Sequence, residues 1–499
     1  MLTAGLPTNI EALHQHIHVM SEEIRVLKEQ LFLATRRQFG SQSEAFSPDQ
    51  LRLLETDDVE IVVTEDKDDK PEAPATTPKP RTTRQAVVIS KQTPVKRIEL
   101  DLGDADKQCD CCGNALHKIG EDCSYQLEWI PAQTRLIETV RPKYGCRGCE
   151  GGVKQQPLPA APIPKSMASA SLLAYLIISK YVDHLPLNRI EHILKRQGIY
   201  LPRSTQCDWM MASARLLKPL IALMRMELLK SPQVFTDDTI LPLQNDIKGR
   251  NKLIQARLWV YATQSKTGPP IIVYDFTRGR QKAGPHAFLK DYRGYVQADA
   301  YSGYDGLYAA GAKEVACMAH CRRYFFEASE LELSPGPAHS ALALIGQLYS
   351  VEREIKHLSH KKRKKQRRLH ARPLLKRLHR WLQGQCARHL PKGKFAKAVN
   401  YALNHWAALV RYCEAGYLEI DNNYSEREMK PIALGRKNYL FTGSERGGAA
   451  AAILYGLVES AKANKLNVHD YLTDILTRLP TTQGDELDHL LPYRWQPQE

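Results

Sequence analysis

Six of the eleven cysteines lie between Cys109 and Cys149, and four of the six form two Cys-x-x-Cys pairs. Cys109 and Cys112 make the first pair and Cys146 and Cys149 the second, with 33 residues between the pairs. Thiolate pairs at this spacing can converge tetrahedrally on Zn²⁺. We therefore predict a zinc-ribbon-like module with a structural Zn²⁺, in which Cys111 could replace one ligand. A closed four-sulfur site has no open position, so this zinc is expected to fold the module and not to catalyse.

Three carboxylates elsewhere in the chain are candidates for a second kind of metal site. Asp237 and Asp299 each end a short β-rich run, and Glu426 lies just inside a later helix. Carboxylates that converge from separate elements can hold two divalent ions for phosphoryl transfer. The chain has 55 acidic residues, so the choice of any three is not by itself evidence for a metal site. Two acids at predicted strand ends and one on a later helix, however, are the arrangement of an RNase H-like active site. Asp238 is the alternative first ligand, because strand alternation puts Asp237 and Asp238 on opposite faces.

A Cys-x-x-His pair, Cys317 and His320, follows the second acid. His320 could orient a phosphate or hold local structure, and a buried, hydrogen-bonded core histidine is an equally good interpretation. Basic residues that follow these motifs are candidates for phosphate contact: Arg322, Arg323, Arg436 and Lys437.

A helix-turn-helix-like pattern precedes the acids. Apolar residues from Leu187 to Leu194 line one helical face, Gly198 gives a turn, and a second helix starts after Pro202. Recognition helices meet base edges at their N-terminal ends. The predicted DNA contacts there are Arg203, Thr205 and Gln206. Helix pairs that pack without DNA are the alternative.

The net charge of +15 is concentrated in one segment. From Ile355 to Cys413 there are 17 lysines and arginines and no acid, which leaves 53 basic and 55 acidic residues elsewhere. Such a segment is typical of phosphate binding, and a solvated basic helix is the alternative. Because it falls between Asp299 and Glu426, we predict DNA contact beside the acids. The candidates are Lys361, Lys362, Arg363, Lys364, Lys365, Arg367 and Arg368.

The remaining patterns concern organisation. Apolar residues from Ile10 to Leu31 repeat as a heptad seam, which predicts a coiled coil or a docked amphipathic helix. An acidic and then proline-rich stretch follows, typical of a linker. The N-terminus does not have the pattern of a signal peptide, and no apolar run is long enough to span a membrane. We expect a cytoplasmic protein.

These patterns predict a multidomain α+β chain. The expected segments are a coiled-coil helix (1–50), a linker (51–100), the zinc module (101–160) and a helical DNA-binding region (161–230). An RNase H-like α/β catalytic domain (231–328 and 415–465) is interrupted by a basic helical insertion (329–414), and a C-terminal tail (466–499) ends the chain.

The sequence resembles the large transposase of the insertion sequence 66 family over nearly its whole length. The likeness includes the heptads followed by Arg36-Arg-Gln-Phe-Gly-Ser41, the cysteine module and Gly294-Tyr-Val-Gln-Ala-Asp299. Its most specific stretch is Ile420-Asp-Asn-Asn-Tyr-Ser-Glu-Arg427 with Leu434-Gly-Arg-Lys-Asn-Tyr-Leu-Phe441.

The resemblance implies a DDE transposase whose metal-binding triad is Asp237, Asp299 and Glu426. It implies two Mg²⁺ per site, which Mn²⁺ can replace, for cleavage at element ends and strand transfer into target DNA. The intervals between the acids are 62 and 127 residues, the second long enough for a helical insertion. One departure is that the family usually reads Ala-Asp-Glu-Thr where residues 236–239 read Thr-Asp-Asp-Thr.

The implied partners are double-stranded DNA, as terminal inverted repeats and as target, and small accessory transposition proteins, with no membrane. Pairing two DNA ends requires at least a homodimer, and the expected location is the bacterial cytoplasm at the nucleoid. A catalytically inactive, transposase-derived DNA-binding regulator is the alternative function. A zinc-dependent protein-interaction scaffold is the third, and it would lack the steep salt dependence of phosphate-driven binding.

Overall fold

A computed structural model of the chain describes residues 134–144, 154–247, 250–332, 335–386 and 393–497, together with Met20 and Ile24. Met20 and Ile24 are helical and about half exposed. The predicted linker, the four zinc cysteines and the rest of the N-terminal segment lie outside the described residues. Two short antiparallel strands, β1 (Lys143–Tyr144) and β2 (Lys154–Gln155), precede the main body.

Three helices open the main body: α1 (Ala170–Tyr181), α2 (Leu187–Arg196) and α3 (Arg203–Leu228). The hydroxyl of Ser169 accepts a hydrogen bond from the Leu172 N–H, which satisfies a free donor at the start of α1. All three helices contribute apolar residues to one large core.

A five-stranded mixed sheet follows, with two short helices in its connections. Its elements are β3 (Gln233–Ile247), β4 (Arg250–Ala262), β5 (Ile272–Thr277), α4 (Ala283–Phe288), β6 (Tyr295–Ala298), α5 (Asp305–Ala309) and β7 (Lys313–Ala316). The spatial order is β5-β4-β3-β6-β7. The first three strands pair antiparallel, whereas β6 runs parallel to β3 and β7 parallel to β6.

A helical segment separates β7 from the last part of the sheet domain. It comprises α6 (Met318–Ser329), α7 (Pro337–Ile355), α8 (His360–Gln366), a π-helical turn (Arg367–Ala371), α9 (Arg372–Cys386), α10 (Lys394–Asn404) and α11 (Trp406–Val410). Its apolar faces form a second core that also takes in Val315 and Ala316 of β7. The insertion is therefore built onto the edge of the sheet.

The chain ends with α12 (Asn423–Tyr439), α13 (Glu445–Ala463) and α14 (Val468–Arg478). The segment 466–499, expected to be a tail, is instead part of the large core, because Tyr471, Leu472 and Ile475 of α14 are fully buried there. The Tyr471 hydroxyl also donates to the Leu490 carbonyl at 2.8 Å. No helix among the described residues is long and apolar enough to cross a membrane.

Candidate active site

The pairing of two parallel strands brings Asp237 and Asp299 to the same level. In the register of β3 with β6, Val234 lies opposite Val296 and Phe235 opposite Gln297. Asp237 lies two residues after Phe235, and Asp299 lies two residues after Gln297. Because neighbouring strands are about 4.8 Å apart, the two acids lie side by side in the middle of the sheet, where β6 ends.

Glu426 approaches these two acids from the first turn of α12. The side-chain amide of Asn422, directly before the helix, donates to the carbonyl oxygen of Thr236 at 3.0 Å. The Glu426 N–H bonds the Asn422 carbonyl at 3.3 Å, so the glutamate lies one turn into the helix. The start of α12 is thereby attached to the residue that precedes Asp237.

The electrostatics of the site are those of three neighbouring carboxylates. Burial raises the pKa of Asp237 well above its usual range, and the charges of Asp299 and Glu426 raise it further. Burial also raises the pKa of Asp299, against the opposing effect of Arg280. Carboxylates that repel one another at a partly buried site suit a hard divalent cation, which removes the repulsion and takes oxygen ligands.

Asp238, the alternative first ligand, is held by two arginines. Its carboxylate accepts hydrogen bonds from Arg257 Nη1 and from Arg280 Nε, each at 2.8 Å, and its side chain is only 2% exposed. Both oxygens are thus engaged by guanidinium groups. This geometry favours Asp237 as the carboxylate that faces Asp299 and Glu426.

Arg280 is a site residue that sequence reasoning missed. Besides Asp238, its Nη2 contacts Asp299 Oδ2 at 3.2 Å, and its guanidinium lies 4.0 Å from the centroid of the Tyr301 ring. Arg257 lies within β4 and Arg280 follows β5, and neither belongs to a recognisable motif. No sequence pattern therefore predicted that these two arginines belong to the site.

Cys317 and His320 adjoin the third acid. His320 Nδ1 is 3.7 Å from Glu426 Oε1, and the potential ligand atoms of Cys317, His320 and Glu426 lie within 4.8 Å of one another. The buried Cys317 sulfur accepts the Asn422 N–H at 3.2 Å, and burial raises the pKa of this thiol well above its usual range. Cys317 therefore packs as a thiol, and His320 is the member of the pair that faces Glu426.

A buried glutamine, also missed from sequence, joins the elements that carry the acids. Gln297 of β6 donates from Nε2 to the carbonyls of Glu419 and Asp421, each at 2.9 Å, and its Oε1 accepts from Gln233 Nε2 at 2.8 Å. Gln297 thus fixes the approach to α12 against the strand that ends at Asp299.

The structure divides the predicted DNA contacts into surface and interior residues. Those that are exposed are Arg203, Arg323, Lys361, Lys362, Lys364, Lys365, Arg368 and Lys437. Thr205, Arg322 and Arg436 are half-buried, and Arg436 Nη1 donates to Thr239 Oγ1 and to the Ile240 carbonyl.

Three predicted contacts were wrong. Gln206 is fully buried, with its amide bonded to the Leu201 carbonyl at 2.9 Å. Arg363 and Arg367 are buried in ion pairs with Glu352, and Arg363 also pairs with Glu419. Helical periodicity turns one side of a short basic helix toward its own domain, which a charge count does not reveal.

Comparison with known proteins gives the same family along the chain. Residues 165–450 match the transposase IS66 family, 106–150 the zinc-finger binding domain of transposase IS66 and 456–493 the IS66 C-terminal element. Residues 26–98 match a region described as transposase C of IS166 homeodomain. The matched zinc-finger region contains the four predicted cysteine ligands and supports a structural zinc.

Two relatives match this chain over most of its length. The uncharacterized protein y4jD of Sinorhizobium fredii is 33% identical over 98% of this chain and 97% of its own length. The uncharacterized protein y4hP of the same organism is 31% identical over 78% of this chain and 73% of its own length. The family match over more than half of its residues shows that the chain belongs to the IS66 family of transposases.

Proposed function

We propose that the protein is an active DDE-type transposase that cleaves DNA at element ends and joins the ends to target DNA. The observation that carries the proposal is the convergence of Asp237, Asp299 and Glu426 from β3, the end of β6 and the first turn of α12. An RNase H-like catalytic domain is supported by the strand order, with three antiparallel strands followed by two parallel ones.

The three carboxylates would hold divalent metal, Mg²⁺ or Mn²⁺. When bound, the metal supplies Lewis-acid stabilisation of charge on the phosphate oxygens and activates the attacking hydroxyl. The protein's own contribution is positioning. Asn422 and Gln297 fix α12 against the strands, and the arginines on Asp238 hold this part of β3 beside the acids.

The exposed basic residues of α8 and of the π-helical turn would bind the phosphate backbone. They lie on an insertion that packs on β7, the edge strand next to β6. We propose that this surface holds DNA in register while the carboxylates act. It contributes positioning and affinity rather than base recognition.

The test uses full-length protein and DNA that carries the inverted repeats flanking the gene. With Mg²⁺ we expect wild type to cleave and to join the ends, and Asp299→Asn to bind the same DNA without cleavage. Asp485→Asn, which changes an exposed acid of the C-terminal segment, is the matched control. Binding without cleavage by wild type would favour the inactive regulator, and undiminished strand transfer by Asp299→Asn would contradict the triad.

A further inference from the structure

A cavity of about 380 Å³ lies between the first helices and the connection from α12 to α13. This volume falls in the range of small-ligand sites. Residues that line it and bear on its chemistry are Lys180, Arg203, Met210, Tyr439, Phe441 and Ser444. The walls are thus aromatic and aliphatic, with cations and a hydroxyl among them.

Lys180 is the unusual wall residue. Its ammonium lies 4.3 Å from the Tyr439 ring centroid and 5.6 Å from that of Tyr181, and the described residues give it no carboxylate partner. Burial lowers its pKa to about 8. A desolvated ammonium without an anion is unfavourable, so a hydrogen-bond acceptor that enters the cavity would be stabilised there.

The segment beside the cavity is strained. Leu440 has φ 64° and ψ −47°, and the Phe441 N–H bonds the Tyr439 carbonyl at 2.7 Å, which makes a γ-turn of the rare kind. Backbone bonds between Thr442 and β3, to Pro242 at 2.8 Å and from Gln244 at 2.9 Å, hold it in place. Such strain is typical of ligand clamps, and here it presents two apolar side chains, Leu440 and Phe441, at the surface.

The surroundings of the cavity favour an anion. Arg203 at the start of α3 is largely exposed, with its Nε 3.7 Å from Glu191 Oε2, and the Ser444 hydroxyl caps α13, whose N-terminus carries a partial positive charge. Aromatic side chains for stacking next to cations for phosphates are the composition of sites that bind unpaired nucleotides. Apolar side chains such as Leu440 can enter between bases and unstack them.

We propose that this cavity binds the base of an unpaired nucleotide of the DNA substrate. The base stacks on Phe441, Lys180 over the Tyr439 ring donates to an acceptor on the edge of the base, and Arg203 exchanges its contact with Glu191 for the adjacent phosphate. This inference rests on the proposed function, because it takes DNA as the substrate.

The test measures the affinity of full-length protein at one fixed salt concentration for three mixed-sequence duplexes. One is fully paired, one carries a single unpaired adenine, and one carries an abasic residue in its place. We expect wild type to bind the unpaired adenine about tenfold more tightly than either other duplex, the size of one stacked base. Phe441→Ala and Lys180→Gln should lose this preference with little change on the paired duplex, and Lys180→Arg should keep it.

Phe326→Ala is the matched control, because Phe326 is 45% exposed against 38% for Phe441 and does not line the cavity. Equal affinity for adenine and abasic duplexes would overturn the proposal, since it would indicate a preference for flexible DNA. A changed oligomeric state of Phe441→Ala with an intact preference would also overturn it, in favour of a protein partner. Failure of the proposed function would give a different result from failure of this inference. Binding to the paired duplex or metal-dependent cleavage would then be absent.

Discussion

Asp237 and Asp238 are adjacent and chemically alike, yet their surroundings differ, and we expect them to serve different roles. Replacing Asp237 with Asn should reduce cleavage roughly 10³-fold by removing a metal ligand. It should leave the free energy of unfolding unchanged or raise it, because repulsion from Asp299 and Glu426 is relieved. Metal-dependent cleavage and urea denaturation of the same preparation measure the two effects.

The matched change, Asp238→Asn, should give the reverse pattern. It removes the anion that faces Arg257 and Arg280, and should lower the free energy of unfolding by about 2 kcal/mol, less than for a fully buried pair because Arg280 is partly exposed. Should Asp238→Asn be stable and Asp237→Asn unstable, the assignment of the two residues would have to be exchanged.

Asp421, five residues before Glu426, makes stability depend on pH. Burial raises its pKa from 3.8 to about 7, so between these values the folded chain holds a proton that the unfolded chain has lost. The free energy of unfolding therefore falls as pH rises across this interval, by up to about 4 kcal/mol. Asp421→Asn cannot ionise, so its free energy of unfolding relative to that of wild type should rise from about pH 5 to about pH 8 in urea denaturation. Parallel pH profiles for the two proteins would contradict this.

At the scale of elements, the short basic helix α8 and the turn after it have two distinct faces. Arg367 is fully buried and donates to Glu352 at 2.6 and 2.8 Å and to the carbonyls of Tyr412, Ala415 and Leu418. Arg367→Met should lower the free energy of unfolding by roughly 3–5 kcal/mol, because it leaves those acceptors unpaired. Arg368→Met, which replaces the exposed neighbour, should change the free energy of unfolding by less than about 0.5 kcal/mol. Equal effects in denaturation would mean that the buried network is not formed.

The exposed face of the same elements should act on DNA and not on stability. Changing Lys361, Lys362, Lys364 and Lys365 to Gln should weaken binding to all sequences alike. It should also reduce the slope of log affinity against log salt by about one for each phosphate that the variant no longer neutralises. Fluorescence anisotropy over a salt series measures the slope, with Lys218→Gln and Lys290→Gln as exposed controls. An unchanged slope would exclude this face from the DNA interface.

At the scale of the molecule, the sequence predicted the acids and the family but not the packing around them. Asp237, Asp299 and Glu426 were candidates because each follows a β-rich run or opens a helix in the sequence, but β3 continues past Asp237 to Ile247, so only Asp299 follows the end of its strand. Arg280 could not, because its role depends on a contact with Asp238 that is 42 residues away along the chain. Likewise Gln206 and Arg367 are polar residues whose burial depends on tertiary partners, and composition favoured exposure for both.

Residues 466–499 were expected to be a tail, although Tyr471, Leu472, Ile475, Leu476 and Leu479 repeat at helical spacing. In the structure α14 packs on α1 in the large core, and Trp495 Nε1 donates to Asp474 Oδ2 at 2.7 Å beside it. Removing residues 466–499 should therefore expose the α1 face and yield insoluble or unfolded protein. Leu472→Ala tests the same contact more gently and should lower the free energy of unfolding by about 2–5 kcal/mol. If the shortened chain kept the denaturation midpoint of wild type, the sheet domain would be complete without α14, and the segment would be a tail after all.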